Sequence, residues 1–239
     1  MEKLAMLYEG KAKQMFKTAR KEELIVHFKD DATAFNGEKK GQIVDKGIIN
    51  NKITNFFLKM LNQAGIPTHL IKELAARETL VKAVEIIPLE VVVRNTAAGS
   101  LAKRLGLPEG TKLERTVIEF YYKNDELGDP LINQSHIELL ELATPAEIAT
   151  LTKLASKINQ ILSTFLAARQ VDLIDFKLEF GKTSAGEIIL ADEITPDTCR
   201  FWDIESREKL DKDRFRRDLG GVEAAYREMY KRITGQKWQ

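Results

Sequence analysis

The 239-residue chain contains one cysteine, Cys199, and three histidines. A single cysteine closes no intrachain disulfide, and so few soft ligands make no conventional structural zinc site within one chain. No histidine lies near Cys199 in sequence, so a small buried filler is expected there rather than a nucleophile. Neither sign of charge is in excess. Thirty-seven Lys and Arg against 36 Asp and Glu give a formal net charge of +1, which supplies no broad field for nucleic acid or an anionic membrane. Long apolar runs are missing too. The stretch at residues 86–93 is interrupted by Pro88 and Glu90 and falls far short of the ~20 residues that span a bilayer. The first residues, Met-Glu-Lys-Leu-Ala, carry no signal-peptide apolar segment, so a cytoplasmic protein is expected. Neither Gly-x4-Gly-Lys-Ser/Thr nor Gly-x-Gly-x-x-Gly occurs, and no internal repeat is visible.

What is present suits a globular protein. Hydrophobic residues make up 44% and charged residues 31%, and the length allows one large domain or two small ones. Short strands are expected at residues 4–9 and 13–17, flanking Gly10, and at 23–29, 68–74, 79–85, 88–94 and 116–123. Apolar residues at 44, 48, 49, 53, 56, 57, 60 and 61 follow helical spacing over 42–64, and Gly65 with Pro67 stops that helix. A small helix is expected over 96–105. Thr144-Pro145-Ala146-Glu147 opens the clearest helix, with Thr144 as cap, Pro145 at the first helical position and Glu147 completing a capping box. A last helix carries Val222, Ala225, Tyr226, Met229, Tyr230 and Ile233. Intermixed helices and strands joined by short turns favour an α+β fold with antiparallel sheets. A domain boundary is expected near residue 85, dividing a smaller part, 1–85, from a larger one, 86–239.

The most informative stretch is 171–200. Leu173, Phe176, Leu178 and Phe180 are apolar, while Asp175, Lys177 and Glu179 recur every second residue, so the three charges share one strand face. With Asp192 on the next strand, this is the residue set of a magnesium–nucleotide site. Glu179 and Asp192 are the metal candidates, and Lys177 suits phosphate oxygens. The two carboxylates share a face only if opposed residue numbers sum to an odd value; an even sum separates them unless a bulge intervenes. Further motifs point to anions. Gly10 between two strands lets backbone approach a ligand, with Lys11 and Lys13 beside it. A strand delivers Arg94 to a helix start that carries Ser100. Lys123 ends the strand Glu119-Phe-Tyr-Tyr, and Arg200 leads into the arginine-rich 211–217. Taken singly, each has a plainer reading: a hairpin turn, a helix entrance, a polar turn, cross-strand ion pairs.

Together, and in this order, the motifs resemble the SAICAR synthetase (phosphoribosylaminoimidazole-succinocarboxamide synthase) family of purine biosynthesis. The resemblance rests on residues 8–13, 46–51, 88–95, 98–101, 122–125, 175–181, 191–193, 196–197 and 211–216. It implies a two-domain α+β fold with a nucleotide cleft between the domains and the phosphate loop in the first. It also implies an ATP- and Mg2+-dependent ligase that joins L-aspartate to carboxyaminoimidazole ribotide (CAIR), and a homodimer. Carried over to this chain, Gly10, Lys11, Ala12 and Lys13 would cover the ATP phosphates. Val81 and Lys82 would lie beside adenine, and Lys123 on the nucleotide side. Glu179 and Asp192 would hold magnesium. Arg94, Ser100 and Arg200 would bind the ribotide phosphate and carboxylate, and Lys177, with Lys13 and Asp192, would stand in the reaction centre. Two departures are Asn36, where some members carry Asp, and Thr198-Cys199, where Gly-Ser is another pattern; backbone contacts are expected to matter more at the second. A kinase-like phosphotransferase and a non-enzymatic nucleotide-binding module are the rival readings.

Overall fold

The computed structural model describes residues 2–34 and 37–238; Asn36 lies outside them. The chain begins with β1 (Met6–Glu9), β2 (Lys13–Lys17), β3 (Glu23–Phe28), a hairpin of β4 (Asp31–Ala34) and β5 (Lys39–Gln42), helix α1 (Lys46–Gln63), β6 (Leu70–Ala75) and β7 (Glu78–Lys82). Five of these strands form an antiparallel sheet in the order β1-β2-β3-β7-β6. The β4–β5 hairpin is only weakly marked in the sequence, by Ala32 and Ala34 alternating with polar residues in β4 and by nothing apolar in β5, and the helix expected from residue 42 starts at Lys46 instead.

From β8 (Glu85–Thr96) onward a second sheet is built. The order along the chain is α2 (Gly99–Leu105), β9 (Lys112–Tyr122), β10 (Leu131–Ile132), α3 (Gln134–Leu139), α4 (Pro145–Ala167), β11 (Val171–Lys182), β12 (Ile188–Ala191), β13 (Cys199–Asp203), α5 (Asp213–Arg216) and α6 (Val222–Thr234). The strand order is β10-β9-β8-β11-β12, with β13 also on β11. Helix α4 is capped as its sequence predicts: Thr144 accepts from the Glu147 N–H while Glu147 accepts from the Thr144 N–H. Its buried stripe, Ile148, Leu151, Ala155, Ile158, Leu162 and Leu166, packs on β11 and β8. Burial of each large apolar side chain is worth roughly 1.5–3 kcal/mol.

Strand β11 organises the molecule. Val171, Leu173, Phe176, Leu178 and Phe180 all join the main core, although they do not share one parity. An irregularity in the pairing with β13, between Leu173 and Asp175, absorbs the extra residue. The same core takes in Ile49, Ile53, Phe57 and Leu61 of α1 and Tyr226, Met229 and Ile233 of α6. Apolar packing is therefore continuous across residue 85. The two sheets also meet at Leu190, whose N–H donates to Pro67 O at 2.9 Å and whose carbonyl accepts from His69 N at 2.8 Å.

Candidate active site

The site lies where β12 and β13 part. Strand β13 pairs with β11 up to Phe176, and β12 pairs with it from Glu179. Between them the Lys177 N–H donates to Thr198 O at 2.9 Å. Directly opposed residues share a sheet face, so the register lays charges in rows. Arg94 on β8 faces Asp175 on β11, which faces Arg200 on β13. One step along, Glu119 faces Val92, which faces Lys177; next, Tyr121 faces Glu90, which faces Glu179.

Glu179 is opposite Ala191, an even pair, and strict alternation would send Asp192 to the far face. Asp192 instead lies one residue beyond β12 with φ 64°, a left-handed conformation that Asp tolerates better than most residues. This turn takes it out of the strand's alternation. Its Oδ2 lies 3.3 Å from Lys177 Nζ, which also contacts Glu179 Oε1 and stands 3.2 Å from Glu90. Lys13 Nζ contacts Asp192 Oδ1 and lies 3.3 Å from Glu193, and Lys123 is 3.4 Å from Glu179. Three lysines and four carboxylates thus form one cluster. Burial favours the neutral form of the Asp192 carboxyl, yet Lys13 and Lys177 outweigh it and hold the pKa far below the carboxylate range. Burial likewise opposes charge on Lys177, but Glu179, Asp192 and Glu90 raise its pKa well above that of an ordinary lysine. Among the described residues, no group of three or more His, Cys, Asp or Glu is arranged for a metal. Two carboxylates sharing one cation nevertheless match the donor set of Mg2+, which takes its remaining oxygens from phosphate and water.

Beside this cluster an apolar slot opens under the first sheet, lined by Met15, Val26, Phe28, Leu58 and Val81, with Lys82 at its edge. Glu179, Asp192, Lys13 and Lys123 of the cluster also line it. His69 lines it as well, its pKa pushed down to about 4 by burial. The β1–β2 turn, closed by Gly10 N donating to Lys13 O at 2.8 Å, brings Lys11 to within 2.8 Å of Asp125, in the connection between β9 and β10. Lys13 is therefore inside the cluster and Lys11 on its exposed rim. Gly10 and Ala12 serve the turn.

On the other side of Lys177, a second cavity is lined by Arg94, Ser100, Asp175, Asp197, Arg200 and Arg216 among others. Arg94 donates to Glu119, Asp175, Ser100 Oγ and Tyr121. Arg200 donates to Asp175 and Asp213, and Asp213 accepts from Arg216 at 2.6 Å. The result is a ladder of alternating charges that fixes the guanidinium planes. Gly99, at the start of α2, has φ 53°, and a Cβ there would lie 2.6 Å from Arg200 Nη2. Only glycine allows that approach without displacement. The Thr198-Cys199 segment contributes backbone: Thr198 O holds Lys177, and Cys199 is buried.

The structure thus brings Lys13, Lys123, Lys177, Glu179 and Asp192 together, and Arg94, Ser100 and Arg200 beside them. Sequence reasoning left out Glu90, Glu193, Asp197 and Asp213 as site residues and put Asp175 on the charged face without giving it a role of its own. Asp175 carried a signal, standing in step with Lys177 and Glu179. Glu90 and Asp213 are recognisable only once β8 is paired with β11 and α5 is folded against Arg200.

Three neighbouring compartments follow in line: an apolar slot, a lysine–carboxylate cluster and an arginine ladder. That order suits a nucleobase, its phosphates with a metal, and an anionic second substrate. Comparison with known proteins agrees. The family model described as SAICAR synthetase matches residues 6–233. A phosphoribosylaminoimidazole-succinocarboxamide synthase of Clostridium botulinum (strain Alaska E43 / Type E3) is 63% identical over 234 residues, covering 98% of this chain and all of that one. The synthase of Ehrlichia chaffeensis superposes with a TM-score of 0.95 at 47% identity, over 98% of this chain and all of that one. A SAICAR synthetase in complex with ADP does so with the same TM-score at 49% identity and the same coverage. The chain belongs to the SAICAR synthetase family.

Proposed function

We infer that this chain carries out the family's reaction: ATP-dependent joining of L-aspartate to the carboxylate of CAIR, giving SAICAR, ADP and phosphate. The observation that carries the reading is the position of Lys177. Its ammonium faces Glu179 and Asp192, and its side chain also lines the arginine-walled cavity. It stands where a nucleotide phosphate and a second, anionic substrate would meet.

A carboxylate is a poor electrophile, and phosphorylation makes it a good one. In the proposed first step a carboxylate oxygen of CAIR attacks the γ-phosphorus, the bond to ADP breaks, and an acyl phosphate forms. The neutral amine of aspartate then attacks the acyl carbon, phosphate leaves with the original carboxylate oxygen, and the amine proton is lost. Lys13 and Lys177 offset charge on the transferring phosphoryl group. Lys11 and Lys123 flank the polyphosphate, Val81 and Lys82 border the base, and Gly10 and Ala12 let the turn close over it. Arg94, Ser100 and Arg200 bind the ribotide. Glu179 and Asp192 would hold Mg2+, which supplies Lewis-acid polarisation of phosphoryl oxygens. Alignment of the reacting groups provides much of the rate.

The division into residues 1–85 and 86–239, a homodimer and a cytoplasmic location belong to the same proposal. Among the described residues no helix is long and apolar enough to cross a membrane. The chemistry is tested with CAIR labelled with oxygen-18 in its carboxylate. The scheme places label in inorganic phosphate, and phosphate free of label would rule out the acyl phosphate.

A further inference from the structure

Residues 192–198 belong to no strand, yet they carry Asp192 at one end and lead directly into Arg200 at the other. Side chains hold this loop. The Asp197 N–H donates to Thr195 Oγ1 at 3.1 Å, and Thr195 Oγ1 donates to Glu193, which faces Lys13. The Thr198 and Cys199 N–H groups donate to Thr195 O. Asp197 itself is fastened from two helices of different origin. Lys46, the first residue of α1, places Nζ 2.7 Å from one carboxylate oxygen, and Tyr226 of α6 donates its hydroxyl to the other at 2.5 Å. Lys46 and Tyr226 are both wholly buried, and neither lines the ribotide-side cavity that Asp197 lines. A third group, Lys212, approaches to 3.8 Å. A buried ion pair adds little stability over an apolar pair of the same shape. What this one does is tie the loop to helices α1 and α6.

We propose that Tyr226, together with Lys46, is a positioning residue of the reaction, acting through Asp197 to set Asp192 and Arg200 at their separation. Helix α6 thereby belongs to the catalytic apparatus while touching no substrate. The inference rests on the site reading given above. Its test is a double-mutant cycle of Tyr226→Phe with Arg200→Lys, reading kcat/KM for CAIR per mole of folded enzyme, with thermal melting in parallel. A hydrogen bond to a charged group accounts for about a tenfold effect or more, so Tyr226→Phe is expected to lower kcat/KM by that factor. In the Arg200→Lys background the further loss should be under about threefold, because coupled residues are not additive. An equal factor in both backgrounds, or a lower melting temperature with unchanged kcat/KM, overturns the proposal. If Tyr226→Phe does not fold, Lys212→Gln asks the same question from the third side of Asp197, with the same expected non-additivity. Absence of amide product from the wild type, or an unimpaired Arg200→Lys, instead defeats the site reading and the inference with it. An impaired Arg200→Lys with an unimpaired Tyr226→Phe defeats the inference alone.

Discussion

Asp192→Asn keeps the side chain's size and removes its charge. At 3.3 Å from Lys177, the carboxylate supplies about 5 kcal/mol of gross attraction at an effective dielectric of ~20. Desolvation offsets much of that. Each lysine also keeps another carboxylate, Lys13 with Glu193 at 3.3 Å and Lys177 with Glu90 at 3.2 Å. Stability should therefore fall by about 2 kcal/mol, less than when a buried charge is stranded alone. Turnover should suffer more. Loss of one strong electrostatic stabiliser costs on the order of 10²–10³, and a fall of at least about tenfold is expected here. Aspartate-dependent ADP release at saturating substrate, with urea unfolding in parallel, separates the two effects. Near-normal turnover by folded Asp192→Asn would refute the placement of Asp192 at the metal and phosphates.

Gly99→Ala puts a methyl 2.6 Å from Arg200 Nη2 at a φ of 53°. The left-handed strain, about 1–2 kcal/mol, falls on the stability of the fold. The methyl also displaces the Arg200 guanidinium, and a loss of about 1.4 kcal/mol of ribotide binding would raise KM for CAIR about tenfold; an unchanged KM would show that Arg200 need not stay in place. His69 has a folded pKa of about 4 against an ordinary 6.5, so on acidification the unfolded chain binds the proton first. Its contribution to stability is complete above about pH 6.5 and is lost as pH falls towards 4, by up to about 3 kcal/mol. His69→Gln should flatten the urea midpoint across that window, and identical slopes would acquit His69. Chelation of divalent ions should abolish ADP release, and added Mg2+ should restore it; turnover persisting in chelator would remove the metal from Glu179 and Asp192.

Elements with strong local signals were legible in sequence. The capping box at Thr144–Glu147 and the apolar stripe behind it specify α4 without reference to the rest of the chain. The alternation of Asp175, Lys177 and Glu179 revealed the charged face of β11. The β4–β5 hairpin was not legible, because Asp31–Ala34 alternates over only four residues with alanine as its apolar residue, and Lys39–Gln42 carries no apolar residue and buries none. Pairing across long separations was equally hidden. The parity rule for Glu179 and Asp192 was sound for a regular hairpin, but the left-handed turn at Asp192 is a single-residue backbone choice that no periodicity announces. Asp213 stands in the arginine-rich 211–217 segment, and nothing local shows that Arg200 folds back onto it.

The central claim is that one site couples ATP cleavage to amide formation. It is tested most directly by measuring ADP release with CAIR present, with and without L-aspartate, while SAICAR is followed in the same samples. The account predicts sustained ADP release only with aspartate, with SAICAR formed in equal amount. Sustained ADP release indifferent to aspartate, with no SAICAR, would contradict it and identify a phosphotransferase or hydrolase in the same cleft.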